Sequence, residues 1–137
     1  MLKLWKKKEN IIRRCLISNV IFRESYMFLK FNDIKGCLII KFIGELDHHS
    51  AEEVRVKIDD RIDRDNIKKV IMDFSNVTFM DSSGIGVVIG RYKKIKSRNG
   101  IICIASANMR IDKVFQLSGI YKIIDSYKNV DEAMKNI

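Results

Sequence analysis

Two short segments hold most of the side chains that could do chemistry, and the first is a serine motif at residues 81–86. It reads Asp-Ser-Ser-Gly-Ile-Gly and stands between an apolar stretch and a helical pattern. A strand, a loop and a helix in that order place Ser82 at a helix N-terminus, where free backbone N–H groups and the helix dipole favour an anion. The spacing alone leaves two interpretations open: an N-cap serine with a structural role, and a serine placed for chemistry or binding.

Familiar phosphate-binding and catalytic motifs do not fit this segment. It has no Gly-Lys-Ser/Thr as in a phosphate-binding loop, and its glycines lack the dinucleotide-binding spacing. The Gly-x-Ser-x-Gly of a nucleophile elbow is also absent. A Ser82 nucleophile would need a base, and the only histidines are His48 and His49. We therefore disfavour an enzyme that uses Ser82 as a nucleophile and predict no catalytic residues.

The second segment is a polar loop at residues 44–49, which reads Gly-Glu-Leu-Asp-His-His. Two histidines and two carboxylates suggest a metal, but adjacent histidines point in different directions on most backbones, and no third ligand is suitably spaced. We predict no metal site and no cofactor. The loop follows a strand, and in an open α/β sheet partners and ligands bind at the carboxyl edge of the strands. We expect the loop beside the serine motif.

The elements that position these segments begin with a hairpin. Residues 27–31 alternate apolar and polar side chains, residues 32–36 supply turn chemistry, and residues 37–43 form a second strand. Ser50 and Glu53 then form a capping box that predicts the start of a helix. The apolar positions of that helix recur at helical spacing, at Ala51, Val54, Ile58 and Ile62.

Strands and helices alternate through the rest of the chain. Buried strands are expected over residues 69–74 and 101–105, and a short one at Ile123 and Ile124. The helix that the serine motif opens has its apolar stripe at Ile85, Val88, Ile89, Tyr92 and Ile95.

Three further features describe the helices. The Lys/Arg cluster from Arg91 to Arg98 is interpreted as a solvated helix face, helped by the helix dipole. Asn108 caps the next helix and Gly119 ends it. A last short helix carries Val130, Ala133, Met134 and Ile137.

This alternation implies right-handed crossovers and a mostly parallel sheet. We predict one α/β domain at residues 27–137, a mixed, mostly parallel β-sheet with an N-terminal hairpin strand at its edge and about four helices packed over it. The chain of 137 residues is 47% hydrophobic and 31% charged, which is typical of a globular domain and excludes wholesale disorder.

The net charge of +9 is concentrated in a basic N-terminal extension. Residues 1–26 hold seven Lys/Arg and two Glu, a net of +5. The remainder lacks the basic stripe with interleaved aromatics that nucleic-acid binding requires. The extension is a poor secretory signal, because Arg13 and Arg14 interrupt its apolar stretch. A basic amphipathic arm is an alternative, but we expect Met27 to be the natural start and residues 1–26 to be read from upstream sequence.

Two observations bear on the compartment. No apolar run approaches the roughly 18 residues of a membrane-spanning helix. The cysteines Cys15, Cys37 and Cys103 are widely spaced without a Cys-x-x-Cys pair, which fits a reducing compartment. We predict a cytoplasmic protein that binds neither a membrane nor a nucleic acid.

Residues 44–52 and 79–93 together closely resemble the anti-sigma factor antagonists, small STAS domains that share their family with the tails of sulfate transporters. The first segment reads Gly-Glu-Leu-Asp-His-His-Ser-Ala-Glu, and the second contains Phe-Met-Asp-Ser-Ser-Gly-Ile-Gly. Residues 115–124 resemble the C-terminal part of these proteins. The Asp-His-His loop favours the sporulation branch. The resemblance covers residue 27 to about residue 137, and family members lack the extension.

The resemblance implies a phosphorylation-controlled binding switch. It assigns phosphorylation to Ser82, by an anti-sigma factor that is itself an ATP-dependent serine kinase. The unphosphorylated form binds that kinase, with ATP or ADP, and releases the sporulation sigma factor. A metal-dependent serine phosphatase of the PP2C type restores the active form. The resemblance places partner-binding residues on one surface: Asp47, Asp81, Ser83, Gly84, Ile85 and Gly86.

Two alternatives stay open. An antagonist in a related stress-response sigma pathway would share the Ser82 motif, and a nucleotide-binding regulatory module would share the fold.

Overall fold

A mixed β-sheet organises residues 27–137, the part of the chain that the computed structural model describes; the expectations about residues 1–26 lie outside it. In the sheet, β1 and β2 pair antiparallel as an edge hairpin and the remaining neighbours are parallel. This confirms the predicted α/β fold. The strands, in their order across the sheet, are β1 (Met27–Ile34), β2 (Cys37–Leu46), β3 (Lys69–Met80), β4 (Ile101–Ala105) and β5 (Ser126–Tyr127).

Three helices pack on one face of this sheet and a fourth packs on the other. The helices of the described part are α1 (Ala51–Arg64), α2 (Ser82–Ser97), α3 (Met109–Ser118) and α4 (Val130–Asn136). The larger core lies under α1, α2 and α3. At its centre Phe42 stacks on Phe74 with ring centroids 4.7 Å apart, and Phe115 meets Phe74 edge-on at 5.0 Å. The smaller core places Ala133 of α4 against Cys37 and Cys103.

The first two crossovers determine where both polar segments lie. Because β2, β3 and β4 are parallel neighbours, α1 and α2 run side by side in the same direction. Their N-termini therefore lie at one edge of the sheet, where β2 and β3 end.

The apolar pattern predicts that β3 ends at residue 74, but the strand continues to Met80. Its pairing with β2 contains two register shifts, and at the first the Asp73 Oδ1 accepts a hydrogen bond from the Ser75 N–H at 2.9 Å. Bulges of this kind break the two-residue alternation of a strand. The polar residues after Phe74 therefore do not show the alternation that would have predicted the rest of β3.

The expected strand at Ile123 and Ile124 is wrong, and β5 lies at Ser126–Tyr127 instead. Gly119 ends α3 in the left-handed conformation (φ 76°), as predicted. A 3-10 turn follows, and the N–H groups of Ile123 and Ile124 both donate to the Ile120 carbonyl, at 3.1 and 3.0 Å. Their backbone closes this turn and is not available to the sheet.

The capping box of Ser50 and Glu53 is also wrong, although α1 begins where it predicted. The Ser50 side chain caps no helical N–H, and its backbone is already near-helical (φ −98°, ψ −19°). Its hydroxyl donates to the Glu45 carbonyl at 2.8 Å and accepts from the Asp47 N–H at 3.1 Å. Glu53 pairs instead with Lys57 one turn further along α1, at 2.7 Å.

The basic cluster of α2 is a solvated face only in part, which corrects a third expectation: Lys93 and Lys96 are exposed, but the other three basic residues are buried or half-buried. Arg91 is only 6% exposed, and its Nε lies 3.0 Å from Asp59 Oδ1 on α1. Burial lowers the pKa of Arg91 and the Asp59 carboxylate opposes that shift. Lys94 and Arg98 both pair with Asp63, Lys94 at 3.0 Å. Arg91, Lys94 and Arg98 therefore join this end of α2 to α1.

Candidate functional site

The ends of β2 and β3 bring the polar loop and the serine motif together, as expected. Leu46 and Met80 form the last residue pair between the two strands. The next residue, Asp81, donates its N–H to the Leu46 carbonyl at 3.3 Å. The two segments therefore leave the sheet side by side.

Asp81 both caps α2 and connects it to the polar loop. Its Oδ1 accepts hydrogen bonds from the N–H groups of Ser83 (2.8 Å) and Gly84 (3.4 Å), which makes Asp81 the N-cap. Its Oδ2 accepts from the His48 N–H at 3.2 Å. Ser82 is therefore the first residue of the helix, and the interpretation of this serine as the N-cap is wrong.

Asp47 makes the corresponding arrangement in the polar loop. Its Oδ1 accepts from the N–H groups of His49 (2.9 Å) and Ser50 (3.1 Å), the second and third residues after it. Its carbonyl accepts from the Ala51 N–H at 2.9 Å. This is N-cap geometry, and it explains why Ser50 does not cap α1. Asp47 is only 7% exposed, so its carboxylate serves the turn that leads into the helix.

Two glycines of α2 have opposite surroundings. A Cβ on Gly84 would lie 2.5 Å from Met80 Cγ and 2.7 Å from the Leu46 carbonyl oxygen. The absence of a side chain therefore lets the first turn of α2 lie directly against the ends of β2 and β3. A Cβ on Gly86 would meet nothing within 4 Å, and Gly86 is exposed.

The exposed residues of the two segments form one continuous surface, which we call the candidate docking surface. Ser82 is exposed on it at the first position of α2, and the half-buried Ser83 and Ile85 adjoin it. The loop contributes the exposed His48 and His49, whose rings lie 3.8 Å apart. The full set is His48, His49, Ser82, Ser83, Ile85 and Gly86.

The structure thus brings all the predicted site residues to one edge but gives them different tasks. Asp47 and Gly84 are buried, so they shape the surface from beneath it. Asp81, with its side chain 29% exposed, holds the two halves together. Ser83, Ile85 and Gly86 reach the surface. That these residues contact a partner stays a prediction.

The surface presents serine hydroxyls and two histidine rings beside the Asp81 carboxylate. His48 Nδ1 lies 3.7 Å from Asp81 Oδ2, and the His48 side chain is 68% exposed. Within residues 27–137 no group of three metal-ligating side chains converges on one point. No helix in the same range is long and apolar enough to span a bilayer.

Two contacts in the elements around this site were not foreseen from the sequence. Leu46 supplies the backbone carbonyl that receives Asp81 and limits the space at Gly84. Asp59 neutralises Arg91 across the two helices. Both contacts join residues that are distant in the sequence. The parallel pairing of β2 with β3 could have suggested the Leu46 contact, and the helical spacing along α1 could have suggested the Asp59 contact.

Comparison with known proteins begins with a family model. The model described as the STAS domain matches residues 29–133, which include both polar segments and every strand except the first residues of β1.

Individual relatives carry a more specific description. A protein of Paenibacillus polymyxa named anti-sigma F factor antagonist is 36% identical over 103 residues, which cover 75% of this chain and 88% of the relative. A Bacillus subtilis protein named anti-sigma-B factor antagonist is 29% identical over 94 residues, covering 69% and 81% of the two chains.

Solved structures agree with the sequence relatives. The unphosphorylated anti-sigma factor antagonist SpoIIAA superimposes with a TM-score of 0.69 at 30% identity, covering 80% of this chain and 95% of SpoIIAA. The phosphorylated form of the Bacillus cell fate determinant SpoIIAA gives a TM-score of 0.62 at 31% identity, with coverages of 81% and 98%. The resemblance found in residues 44–52 and 79–93 is thereby confirmed.

Proposed function

The chain belongs to the STAS domain family, and we propose that it is an anti-sigma factor antagonist that phosphorylation of Ser82 switches off. Unphosphorylated, it binds an anti-sigma factor that is also an ATP-dependent serine kinase, and thereby releases the sporulation sigma factor. A PP2C-type phosphatase reverses the modification. The protein acts as a binding switch and not as an enzyme. The observation that carries the proposal is the exposed Ser82 at the start of α2. The Asp81 carboxylate connects this turn to the polar loop, because it accepts hydrogen bonds from the N–H groups of both Ser83 and His48.

The partner contacts divide according to exposure. Ser82, Ser83, Ile85 and Gly86 face the partner, because they are exposed or half-buried on the candidate docking surface. Asp47 acts mainly through the turn that it caps and so presents the two histidines. Asp81 and Gly84 act through the position of the first turn of α2.

Electrostatics explain why phosphorylation prevents binding without unfolding the domain. A phosphate adds about −1.5 to −2 charges. At the N-terminus of α2 the helix dipole stabilises such a group by roughly 0.3–2 kcal/mol, although the Asp81 carboxylate beside it opposes part of that gain. The fold therefore tolerates the modification.

The same charge has a larger effect in an interface. Buried without a cationic partner, it costs several kcal/mol. A hundredfold loss of affinity needs only about 2.7 kcal/mol. The penalty in the interface exceeds any effect on folding, so phosphorylation abolishes docking while the domain stays folded.

Incubation with the cognate anti-sigma kinase and ATP, followed by mass mapping, tests the proposal. We expect one phosphate on Ser82, none on the Ser82→Ala variant and normal incorporation on the Ser83→Ala variant, which is the matched control one residue away. Phosphate on Ser83 would reverse the assignment. An unmodified wild-type protein would refute the proposed switch.

A second candidate is an antagonist in a stress-response pathway, which the similarity to the anti-sigma-B factor antagonist supports. The Asp-His-His loop favours the sporulation pathway. Displacement assays with each anti-sigma factor distinguish the two pathways. One equivalent of this protein should release the sigma factor only from the complex of its own pathway.

A further inference from the structure

A row of ion pairs joins the two helices whose N-termini carry the candidate docking surface. Its most buried member is the pair of Asp59 and Arg91, at 3.0 Å with side chains 18% and 8% exposed. Lys94 bridges Asp59 (3.9 Å) and Asp63 (3.0 Å) further along. Arg55 of α1 also approaches Asp59, at 3.6 Å. The acidic partners all lie on α1 and the basic residues that cross to them all lie on α2.

Asp59 and Arg91 lie at nearly the same distance from the N-terminus of their respective helices. Asp59 is eight residues after Ala51, the first residue of α1, and Arg91 is nine residues after Ser82, the first residue of α2. At 1.5 Å per residue these offsets are about 12 and about 14 Å. The helices run in the same direction, so the pair forms only when their N-termini lie level with each other, which is the arrangement that the strand ends begin. A slip of one turn would separate Asp81 from His48.

Stability alone does not account for a guanidinium at this position. Arg91 is 6% exposed, and among the described residues its Nε and Nη1 and the Asp59 Oδ1 are all buried without a hydrogen bond, so the pair is an electrostatic contact only. Replacing a buried ion pair with apolar side chains of similar volume is often neutral or stabilising, and the best attested role of such groups is to specify register. Interdigitated apolar side chains also resist sliding, but a buried charge pair adds to them, because a shift of one turn would leave both charges buried without a partner.

We propose that Asp59 and Arg91 are positioning residues, which hold α1 and α2 in the register that brings the His48 loop against the Asp81–Ser82 turn and so completes the docking surface. This inference rests on the proposed function for its effect on the kinase, but not for its effect on the loop. Neither residue touches the partner, since Asp59 and Arg91 lie between the helices and more than two turns below Ser82.

The test compares Arg91→Met with Arg98→Met in the full chain. Both substitutions remove a cation that pairs across the same two helices, but Arg98 lies near the far end of α2, with its side chain 31% exposed. Two measurements follow: the amide NMR shifts of His48 and Ser83 without any partner, and the KM and kcat for phosphorylation by the kinase. The double variant Asp59→Leu with Arg91→Met removes both charges and avoids leaving an unpaired carboxylate.

For Arg91→Met we expect a folded protein, shifted His48 and Ser83 amide signals, and a KM raised about tenfold or more with kcat little changed, because misplacement near the reacting group weakens productive docking. Arg98→Met should change none of these. Unshifted amides with wild-type KM in Arg91→Met, or equal effects from both variants, would overturn the proposal. If Arg91→Met fails to fold, the double variant decides: altered amides in a folded protein support a register role, and an unfolded one refutes it. A wild-type protein that is not phosphorylated refutes the proposed function alone, because the amide shifts still test the register.

Discussion

Replacing Gly84 with alanine should destabilise the domain, whereas the same replacement at Gly86 should stabilise it. Both glycines lie in the first turns of α2. A Cβ on Gly84 would lie 2.5 Å from Met80 Cγ and 2.7 Å from a backbone oxygen of Leu46, and the backbone atom cannot move aside without shifting β2. At Gly86 the new methyl group would meet nothing within 4 Å.

The magnitudes follow from two opposing effects. Alanine is favoured over glycine in a helix by about 0.8–1 kcal/mol, and this gain applies at both positions. Overpacking typically costs about 1–3 kcal/mol, and at Gly84 contacts this short place it at the upper end. We therefore expect a net loss of about 2 kcal/mol for Gly84→Ala and a net gain of about 0.5–1 kcal/mol for Gly86→Ala.

Urea denaturation measures both changes. With an m-value of about 1.5 kcal/mol/M, the two variants should differ in unfolding midpoint by roughly 1.5–2 M, on opposite sides of the wild type. The Gly84→Ala protein should also bind the kinase more weakly, because the first turn of α2 is pushed away from Leu46. Equal midpoints for the two variants would show that α2 does not approach the strand ends as closely as described.

Three further predictions concern charge and burial. Ser82→Asp should melt within about 3 °C of the wild type, because a negative charge at a helix N-terminus is tolerated, yet fail to release the sigma factor in a displacement assay; a melted or fully active variant would contradict this. Hydrogen bonds from Lys94 and Arg98 lower the pKa of Asp63, so its contribution to stability is present above about pH 4 and disappears as the pH falls through the lowered pKa. The stability difference between wild type and Asp63→Asn should therefore narrow in acid, and a difference independent of pH would disprove the pairing. Burial raises the pKa of Cys103 to about 12 and also raises that of Cys37, so a Cys15→Ser protein at about pH 8 should react with thiol reagents only on unfolding. Rapid labelling of the native protein would contradict this.

Local patterns in the sequence were sufficient for most elements and for the grouping of the two polar segments. The turn before Cys37, the helical spacing after Ala51 and the cap at Asn108 each depend on residues close in the chain. Asn108 Oδ1 accepts the Ile111 N–H at 3.1 Å, as its position predicted. The grouping of the polar loop with the serine motif also followed, because parallel strands place their carboxyl ends at one edge.

One error arises where a contact between distant residues overrides the local pattern, and another where two local capping patterns compete. Arg91 follows the basic pattern of an exposed helix face, but Asp59 on the neighbouring helix makes its burial possible. Ser50 fits a capping box, but Asp47 three residues earlier already caps that turn and engages the serine. Nothing near Arg91 in the sequence distinguishes the two outcomes at that position, whereas at Ser50 the competing cap is only three residues away.

The central claim is that one phosphate on Ser82 controls docking, and a binding measurement tests it most directly. The anti-sigma kinase, preloaded with its sigma factor, is titrated at fixed salt with the unmodified protein and with protein phosphorylated stoichiometrically at Ser82. The account predicts that the unmodified form displaces the sigma factor and that the phosphorylated form binds at least about 100-fold more weakly, a difference of about 2.7 kcal/mol, while its melting temperature is nearly unchanged. Equal affinity of two folded forms would contradict it.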